Sequence, residues 1–154
     1  MANTYTQIYL QLVFSPFKRE NIIPQIHKEE LQKYITGIIQ ARRHKLLAIN
    51  IMPDHSHIFI GYEPAQPLPY LVRDIKAISS KFINTKKWLP GSFNWQEGYG
   101  SFSYGRSQID RLINYINSQE SHHKKFTFKE EYLRLLEKFE VDYDPRYLFD
   151  WILE

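Results

Sequence analysis

The order in which strand-like and helix-like patterns follow one another is the feature that most constrains the fold of this 154-residue chain. Near the start, apolar residues alternate with other residues: Ile8, Leu10, Leu12 and Phe14. A period of two predicts a β-strand with one buried face, here over residues 5–14. Farther along, apolar residues recur at the spacing of one helix face: Leu31, Tyr34, Ile35, Ile38 and Ile39. With Pro24 in its first turn and a basic run from Arg42 to Lys45 at its end, this second pattern predicts an amphipathic helix.

The middle of the chain predicts a hairpin, a second helix and a fourth strand. Residues 47–52 and 55–62 have the composition of strands, and the Pro53-Asp54 pair between them predicts a tight connection. After a proline-rich connection, one apolar stripe predicts a second amphipathic helix that ends before Pro90-Gly91: Leu71, Ile75, Ile78 and Phe82. Residues 93–104 mix aromatic residues with Gly and Ser, which predicts a loop that enters a strand.

Two further helices complete the pattern. The first begins at about Ser107 and has an apolar side: Ile109, Leu112, Ile113 and Ile116. Thr127 and Glu130 fit a capping box that opens the second. The order is therefore βαββαβ followed by helices, which is the α+β, ferredoxin-like split βαβ arrangement. It predicts an antiparallel sheet with helices on one face plus C-terminal helices. The acidic and aromatic tail after Val141 is left to dock on the domain or to reach a partner.

Length and composition indicate one folded domain. Hydrophobic residues make up 43% of the chain and aromatic residues 16%, which is too apolar for a disordered protein. We expect a single domain over 1–154, with a core over about 1–125 and a C-terminal helix and tail over 126–154. The absence of cysteine excludes disulfides and thiolate zinc sites. Residues 1–7 are too polar for a secretory signal and no apolar run could cross a bilayer, so we expect a cytoplasmic protein without membrane contact.

Basic residues are clustered, although the net charge is only +3. Such clusters favour binding to a polyanion, but each one alone fits a solvated helix face equally well. The residues that we expect to follow the phosphates of a nucleic acid lie on the second helix and just after it: Arg73, Lys76, Lys81, Lys86 and Lys87. Trp95 and Tyr99 are candidates for stacking on unpaired bases. The aromatic residues of this region also fit a packed core, which is the interpretation we prefer.

Four residues form a candidate site. His55 and His57 lie two apart on the third predicted strand, so both imidazoles project from the same face and can converge on one ion. On the third predicted helix, Tyr115 and Gln119 lie four apart and share a face. Each pair alone has an ordinary explanation, because surface histidines, half-buried tyrosines and solvated glutamines are common. The combination carries the functional hypothesis.

The segments P-D-H-S-H-I, W-Q-E-G-Y-G and Y-I-N-S-Q together resemble the single-tyrosine transposases of small bacterial insertion sequences, the IS200-like transposases of the HUH superfamily. The resemblance runs from about Tyr5 to Gln119. It implies that His55 and His57 are metal ligands, that Gln119 is the third protein ligand and that Tyr115 is the nucleophile. It departs at Ser56, where the family usually has a bulky apolar residue, and we expect weaker packing beneath the site there.

The resemblance also implies a reaction and its partners. The enzyme would cleave and rejoin single-stranded DNA through a covalent 5′-phosphotyrosine. Imidazole ligands alone would also suit zinc, and the family tips the choice towards Mg²⁺ or Mn²⁺. The implied substrate is single-stranded DNA with hairpins near the element ends. The implied assembly is a homodimer with shared active sites, in which the helix of Tyr115 meets the partner's histidines, although this helix could also pack on its own chain.

Three alternatives stay open. The βαββαβ order is also that of the RNA-recognition motif, so a non-catalytic module that binds single-stranded RNA or DNA is one of them. Its basic-Gly-aromatic run is missing, because the third strand has H-S-H-I-F-I instead. The second is a nickase of the replication-initiator or relaxase type, which uses the same pair of histidines. The third is a domesticated relative that cuts repeats in its host genome without moving itself.

Overall fold

The computed structural model describes residues 3–18, 22–123 and 125–151, and its helices and strands follow the predicted order. The strands are β1 (Tyr9–Phe14), β2 (Lys45–Met52), β3 (His55–Gly61) and β4 (Gly100–Tyr104). The α-helices are α1 (Lys28–Ala41), α2 (Leu68–Lys86), α3 (Ile109–Asn117), α4 (Gln119–His123) and α5 (Phe128–Lys138). Short 3₁₀ helices lie at Gln25–His27, Arg106–Gln108 and Pro145–Tyr147. None of the helices in these described ranges is both long and apolar enough to cross a membrane.

The four strands form one antiparallel sheet in the order β2-β3-β1-β4. The β2–β3 hairpin turns at Pro53 and Asp54, as the sequence predicts. Strand β1 lies between β3 and β4, so a strand from the start of the chain pairs with two later ones. This arrangement confirms the ferredoxin-like α+β fold.

One face of the sheet, called the apolar face below, carries Leu12, Ile58 and Ile60. Helices α1 and α2 pack on this face, and the apolar residues of both helices join the same buried cluster as those strand residues. Because side chains alternate along a strand, the residues between them project to the other side. The alternation predicted for β1 therefore produces the main hydrophobic core.

The opposite face, called the site face, carries His55, His57 and Phe59 of β3. Helix α3 packs there through Leu112 and Ile116, which form a second cluster with Phe59. Helix α5 packs beside it: the ring of Phe128 stacks on the ring of His55 at 4.3 Å between centroids. Consequently the C-terminal helices cover the face of the sheet that carries the two histidines.

The start of the first strand and the continuity of the third helix differ from the prediction. The first strand begins at Tyr9 rather than Tyr5, a residue that is 92% exposed. The third predicted helix is interrupted at Ser118, so that Gln119 opens α4. The Ser118 hydroxyl donates a hydrogen bond to the carbonyl of Asn114, a contact that competes with regular helix geometry.

The tail docks on the domain as far as it is described. Phe149 is buried in the main core. The Gln96 side chain accepts a hydrogen bond from the Asp150 main-chain N–H at 2.8 Å and donates one to its carbonyl at 2.7 Å. These two hydrogen bonds attach residue 150 to the loop that precedes β4.

Candidate active site

The two histidines are fully buried, and a neighbouring side chain contacts the Nδ1 atom of each. Asp54 Oδ1 lies 2.8 Å from His55 Nδ1, and Gln11 Nε2 lies 2.8 Å from His57 Nδ1. Contacts at Nδ1 fix the ring orientations, and the two Nε2 atoms face the same space below α5. Asp54 was predicted as a turn residue; it occupies the turn and its carboxylate also orients His55.

Gln119 and Tyr115 reach the same space from the other side. Gln119 is buried, and its Oε1 lies 3.2 Å from His55 Nε2. The half-buried ring of Tyr115 lies edge-on to His57 at 6.2 Å between ring centroids. All four residues of the predicted site therefore come together, even though a helix break separates Tyr115 from Gln119.

A fifth residue, Glu131 of α5, lies at the centre of this group. Its Oε1 is 2.9 Å from His57 Nε2 and 3.5 Å from His55 Nε2. Its Oε2 accepts hydrogen bonds from the Gln119 amide at 2.9 Å and from the Tyr115 hydroxyl. The carboxylate thus bridges the histidines and the tyrosine.

The sequence analysis did not identify Glu131, although a signal was present. On α5 the positions i, i+3, i+4 and i+7 of the buried stripe are Phe128, Glu131, Tyr132 and Leu135. A carboxylate on the buried stripe of an amphipathic helix costs free energy unless it has partners, so such a residue is a candidate for a functional site. The spacing alone does not reveal which residues it meets.

The donor set suits a divalent cation. One ligand atom each from His55, His57 and Glu131 lies within 4.8 Å of the others. An ion bound at about 2.1 Å keeps adjacent ligands about 3.0 Å apart at right angles. The separations of 2.9, 3.2 and 3.5 Å between neighbouring donor atoms approach that spacing. Two imidazoles, a carboxylate and an amide oxygen are therefore a donor set compatible with a divalent metal ion.

Burial and charge act on the two acidic groups in opposite directions. Burial alone would raise the pKa of Glu131, but the charge and hydrogen bond of His57, the charge of His55 and the hydrogen bond from Tyr115 hold that pKa well below its usual range. Burial, and then the negative charge of Glu131, raise the pKa of the Tyr115 hydroxyl above its usual value. The arrangement therefore holds an ionised carboxylate against a protonated tyrosine.

Ser56 lies on the apolar face beneath the site. It is fully buried, and its hydroxyl donates a 3.3 Å hydrogen bond to the carbonyl of Phe14 on β1. A hydroxyl with a main-chain acceptor can be buried at a modest cost. The serine thus has a bonding partner where the family usually has apolar packing.

The residues predicted to contact nucleic acid lie away from Tyr115. Four of the cations are exposed on α2 or just after it, on the far side of the sheet: Arg73, Lys81, Lys86 and Lys87. Lys76 donates to the carbonyls of Gln96 and Gly98, at 2.7 and 2.5 Å, and burial lowers its pKa to about 8. Trp95 is buried and donates to Ser79, whereas Tyr99 is half-buried. The structure does not bring these residues to the histidine site.

A cavity of about 360 Å³ opens between α3 and α5, directly beside Tyr115. Three exposed cations line it: Arg111, Arg134 and Lys138. Two rings, Tyr104 and Phe126, form part of its wall. The space next to the tyrosine is therefore both basic and aromatic.

The profile of the family described as "Transposase IS200 like" matches residues 4–119. Among curated proteins, the ISDra2 transposase TnpA of Deinococcus radiodurans is 21% identical over 118 residues, which cover 73% of this chain and 84% of that protein. Since the profile spans most of the chain, the protein belongs to the IS200-like transposase family.

Solved structures share the fold. A crystal structure of a Deinococcus radiodurans protein described as a transposase has a TM-score of 0.58 and 18% identity, and covers 77% of this chain and 95% of that chain. The structure of a REP-associated tyrosine transposase bound to a REP hairpin has a TM-score of 0.58 and 15% identity, and covers 100% of this chain and 93% of that chain. The predicted fold and family are both confirmed.

Proposed function

We propose that this transposase cleaves and rejoins single-stranded DNA through a covalent 5′-phosphotyrosine at Tyr115, with His55, His57 and Gln119 as ligands of Mg²⁺ or Mn²⁺. The observation that carries the proposal is the convergence of a tyrosine hydroxyl, two Nε2 atoms and an amide oxygen on one buried space. Membership of a transposase family supports a DNA substrate.

The chemistry follows from these groups. The Tyr115 hydroxyl loses its proton as its oxygen attacks the scissile phosphorus and an O–P bond forms. The bond to the 3′ oxygen breaks, and the leaving strand takes up a proton as a 3′-hydroxyl. A divalent ion, when bound, would polarise the phosphate and neutralise its developing charge. Because the phosphotyrosine keeps the diester energy, a second 3′-hydroxyl can reverse the step without ATP.

Tyr115→Phe tests the proposal most directly, because it removes only the attacking oxygen and leaves the ring in place. We expect the wild-type protein, incubated with single-stranded DNA from the flanks of its own gene and Mn²⁺, to form a covalent adduct that mass spectrometry locates on Tyr115. The Tyr115→Phe protein should fold normally and form none. An adduct on Tyr104 or Tyr99 would move the nucleophile elsewhere, and cleavage without any adduct would indicate hydrolysis.

We also propose DNA hairpins as the recognised feature, since a relative of the same fold has been solved with a hairpin bound. Inverted repeats beside the gene would support this, and their position would separate a mobile element from a domesticated one. The non-catalytic alternative is disfavoured, because the site face that an RNA-recognition motif would expose for stacking is covered by α3 and α5.

A homodimer with shared active sites stays a prediction. In the structure of the single chain, Tyr115 lies edge-on to His57 of its own chain. Mixing Tyr115→Phe subunits with His55→Ala, His57→Ala subunits decides between the arrangements. Shared sites would restore part of the adduct formation in mixed dimers, whereas sites within one chain would leave it at background. A fully active monomer in sedimentation would contradict the dimer.

A further inference from the structure

The carboxylate of Glu131 contacts every residue of the predicted site, which indicates a role beyond attaching α5 to the domain. Its two oxygens face different groups: Oε1 faces the Nε2 atoms of both histidines, and Oε2 accepts hydrogen bonds from Tyr115 and Gln119. Glu131 also lies outside residues 4–119, the part of the chain that the family profile matches. The carboxylate is therefore supplied by the C-terminal helix of this chain.

We propose that Glu131 is a fourth protein ligand of the divalent ion through Oε1, and that its Oε2 positions the Tyr115 hydroxyl. This inference rests on the metal-assisted reaction proposed above. It makes α5 part of the active site.

Charge is the first argument for this role. The other proposed ligands, His55, His57 and Gln119, bind a metal as neutral groups. Mg²⁺ and Mn²⁺ are hard cations that favour carboxylate oxygen, so an anionic ligand would raise the affinity of this site. A buried carboxylate within 2.9 Å of one Nε2 and 3.5 Å of the other supplies that charge.

The second argument is positional. Asp54 and Gln11 contact the Nδ1 atoms, which leaves both Nε2 atoms directed at Glu131. The Asp54 carboxylate accepts from the Nδ1–H of His55, which is an outer contact typical of metal-binding histidines. A purely structural ion pair would need only one histidine, whereas Glu131 Oε1 lies between two.

Glu131→Gln keeps the shape of the side chain and removes its charge, and Glu137→Gln makes the same change at an exposed position of α5. Mn²⁺ is titrated into each protein without DNA, and the free ion is followed by electron paramagnetic resonance. We expect Glu131→Gln to weaken Mn²⁺ binding at least about tenfold, because even outer partners of metal ligands are worth about 10- to 100-fold. Glu137→Gln should bind as the wild type does. The visible spectrum of the Co²⁺-loaded protein should change in Glu131→Gln alone.

A merely structural Glu131 would lower thermal stability and leave the Mn²⁺ affinity and the Co²⁺ spectrum unchanged, which would overturn the inference. If Glu131→Gln does not fold, Glu131→Asp is measured instead, because its side chain is one carbon shorter and withdraws the carboxylate from the ion. A wild-type Mn²⁺ affinity in Glu131→Asp would contradict the proposal that Glu131 is a metal ligand. Loss of binding in His57→Ala with normal binding in Glu131→Gln would refute the role of Glu131 and keep the proposed metal site. A wild-type protein that forms the Tyr115 adduct but binds no Mn²⁺ or Co²⁺ would refute both metal assignments.

The cavity between α3 and α5 carries a second, independent inference. Its volume of about 360 Å³ lies in the range of small-ligand pockets, roughly 300–1,000 Å³. The Arg134 guanidinium lies 3.9 Å from the Phe126 ring centroid, and the Lys138 ammonium lies 5.9 Å from that of Tyr104. Cations beside aromatic rings suit both the phosphate and the base of an unpaired nucleotide.

We infer that this cavity holds the nucleotide next to the scissile phosphate of single-stranded DNA. The cavity adjoins Tyr115, and its three cations outnumber the single carboxylate, Glu131, among its lining residues. Together they favour a polyanion at the nucleophile. The inference rests on the proposed cleavage of DNA but not on the role of Glu131.

The test measures the binding of single-stranded oligothymidine by Tyr115→Phe protein, which cannot form the adduct, at several salt concentrations. Adding Arg134→Gln or Lys138→Gln should weaken binding and reduce the log–log salt slope by about 0.7 for each lost phosphate contact. Lys33→Gln on α1, an exposed cation on the other side of the sheet, is the matched control.

Equal affinities and slopes for Arg134→Gln and Lys33→Gln would overturn the cavity assignment. Loss of binding only in Lys81→Gln would instead place the strand along α2 and equally overturn it. Both results would leave the Tyr115 adduct of the wild type intact, so this failure is distinguishable from failure of the proposed function.

Discussion

The two faces of strand β3 differ sharply, although their residues alternate along a single segment. Ile58 and Ile60 enter a dry core beneath α1 and α2. His55 and His57 are just as buried, yet polar and aromatic contacts orient them. The first face stabilises the fold, and the second places chemical groups.

The site face costs more free energy to bury than the apolar face does. Buried polar groups destabilise a fold unless they find partners, and the cluster around Glu131 satisfies this condition with closely spaced hydrogen bonds. Asn50 of β2, opposite His57, donates to the Ile116 carbonyl at 2.8 Å, but its Oδ1 is buried without a partner among the described residues. An unsatisfied buried acceptor lowers stability, so the residues of the site face are not those that would give the most stable fold.

The largest expected effect comes from neighbouring substitutions on the two faces. His57→Ala should reduce the Tyr115 adduct to background, because it removes a proposed ligand, while the protein still folds. Ile58→Ala should lower the free energy of unfolding by about 2–5 kcal/mol and leave adduct formation per folded molecule unchanged. Urea unfolding and adduct assays on both variants measure this. Adduct formation that survives both His57→Ala and chelation would remove the metal from the mechanism.

A smaller effect is expected at Gly100, where the sheet meets α5. A Cβ there would come within 2.7 Å of the Tyr132 hydroxyl oxygen and 2.9 Å of the Phe102 ring. Gly100→Ala should therefore shift α5, lower stability by about 1–3 kcal/mol and weaken Mn²⁺ binding through Glu131. Gly91→Ala, which meets nothing within 4 Å, is the control. Normal Mn²⁺ affinity in a destabilised Gly100→Ala protein would show that Mn²⁺ binding does not depend on the position of α5.

The smallest effect is expected on α1, at the far side of the apolar face. Gly37 is an exposed residue inside this helix, and an added Cβ meets nothing within 4 Å. Gly37→Ala should stabilise the protein by about 0.5–1 kcal/mol, because alanine loses less backbone entropy in a helix. Thermal unfolding checks the gain. A change in adduct formation would show that the two faces are coupled.

The features that depend on local periodicity follow from the amino-acid sequence alone. The alternation in β1, the stripes of α1 and α2 and the capping box at Thr127 predict where elements begin and which faces they bury. The same alternation places His55 and His57 on one side of β3. Each of these inferences needs only neighbours a few residues away, so spacing is sufficient evidence.

Which distant side chains meet depends on the tertiary fold. Glu131 lies 74 residues from His57 in the chain, and no local pattern encodes their 2.9 Å contact. Helix α3 ends at Asn117, and Gln119 still reaches His55 across the break. The cations of α2 follow the helix to the far side of the sheet, while Arg134 comes to lie beside Tyr115. Such contacts are decided by how helices pack on a sheet, which depends on the shape of the whole core and not on the spacing of residues along the chain.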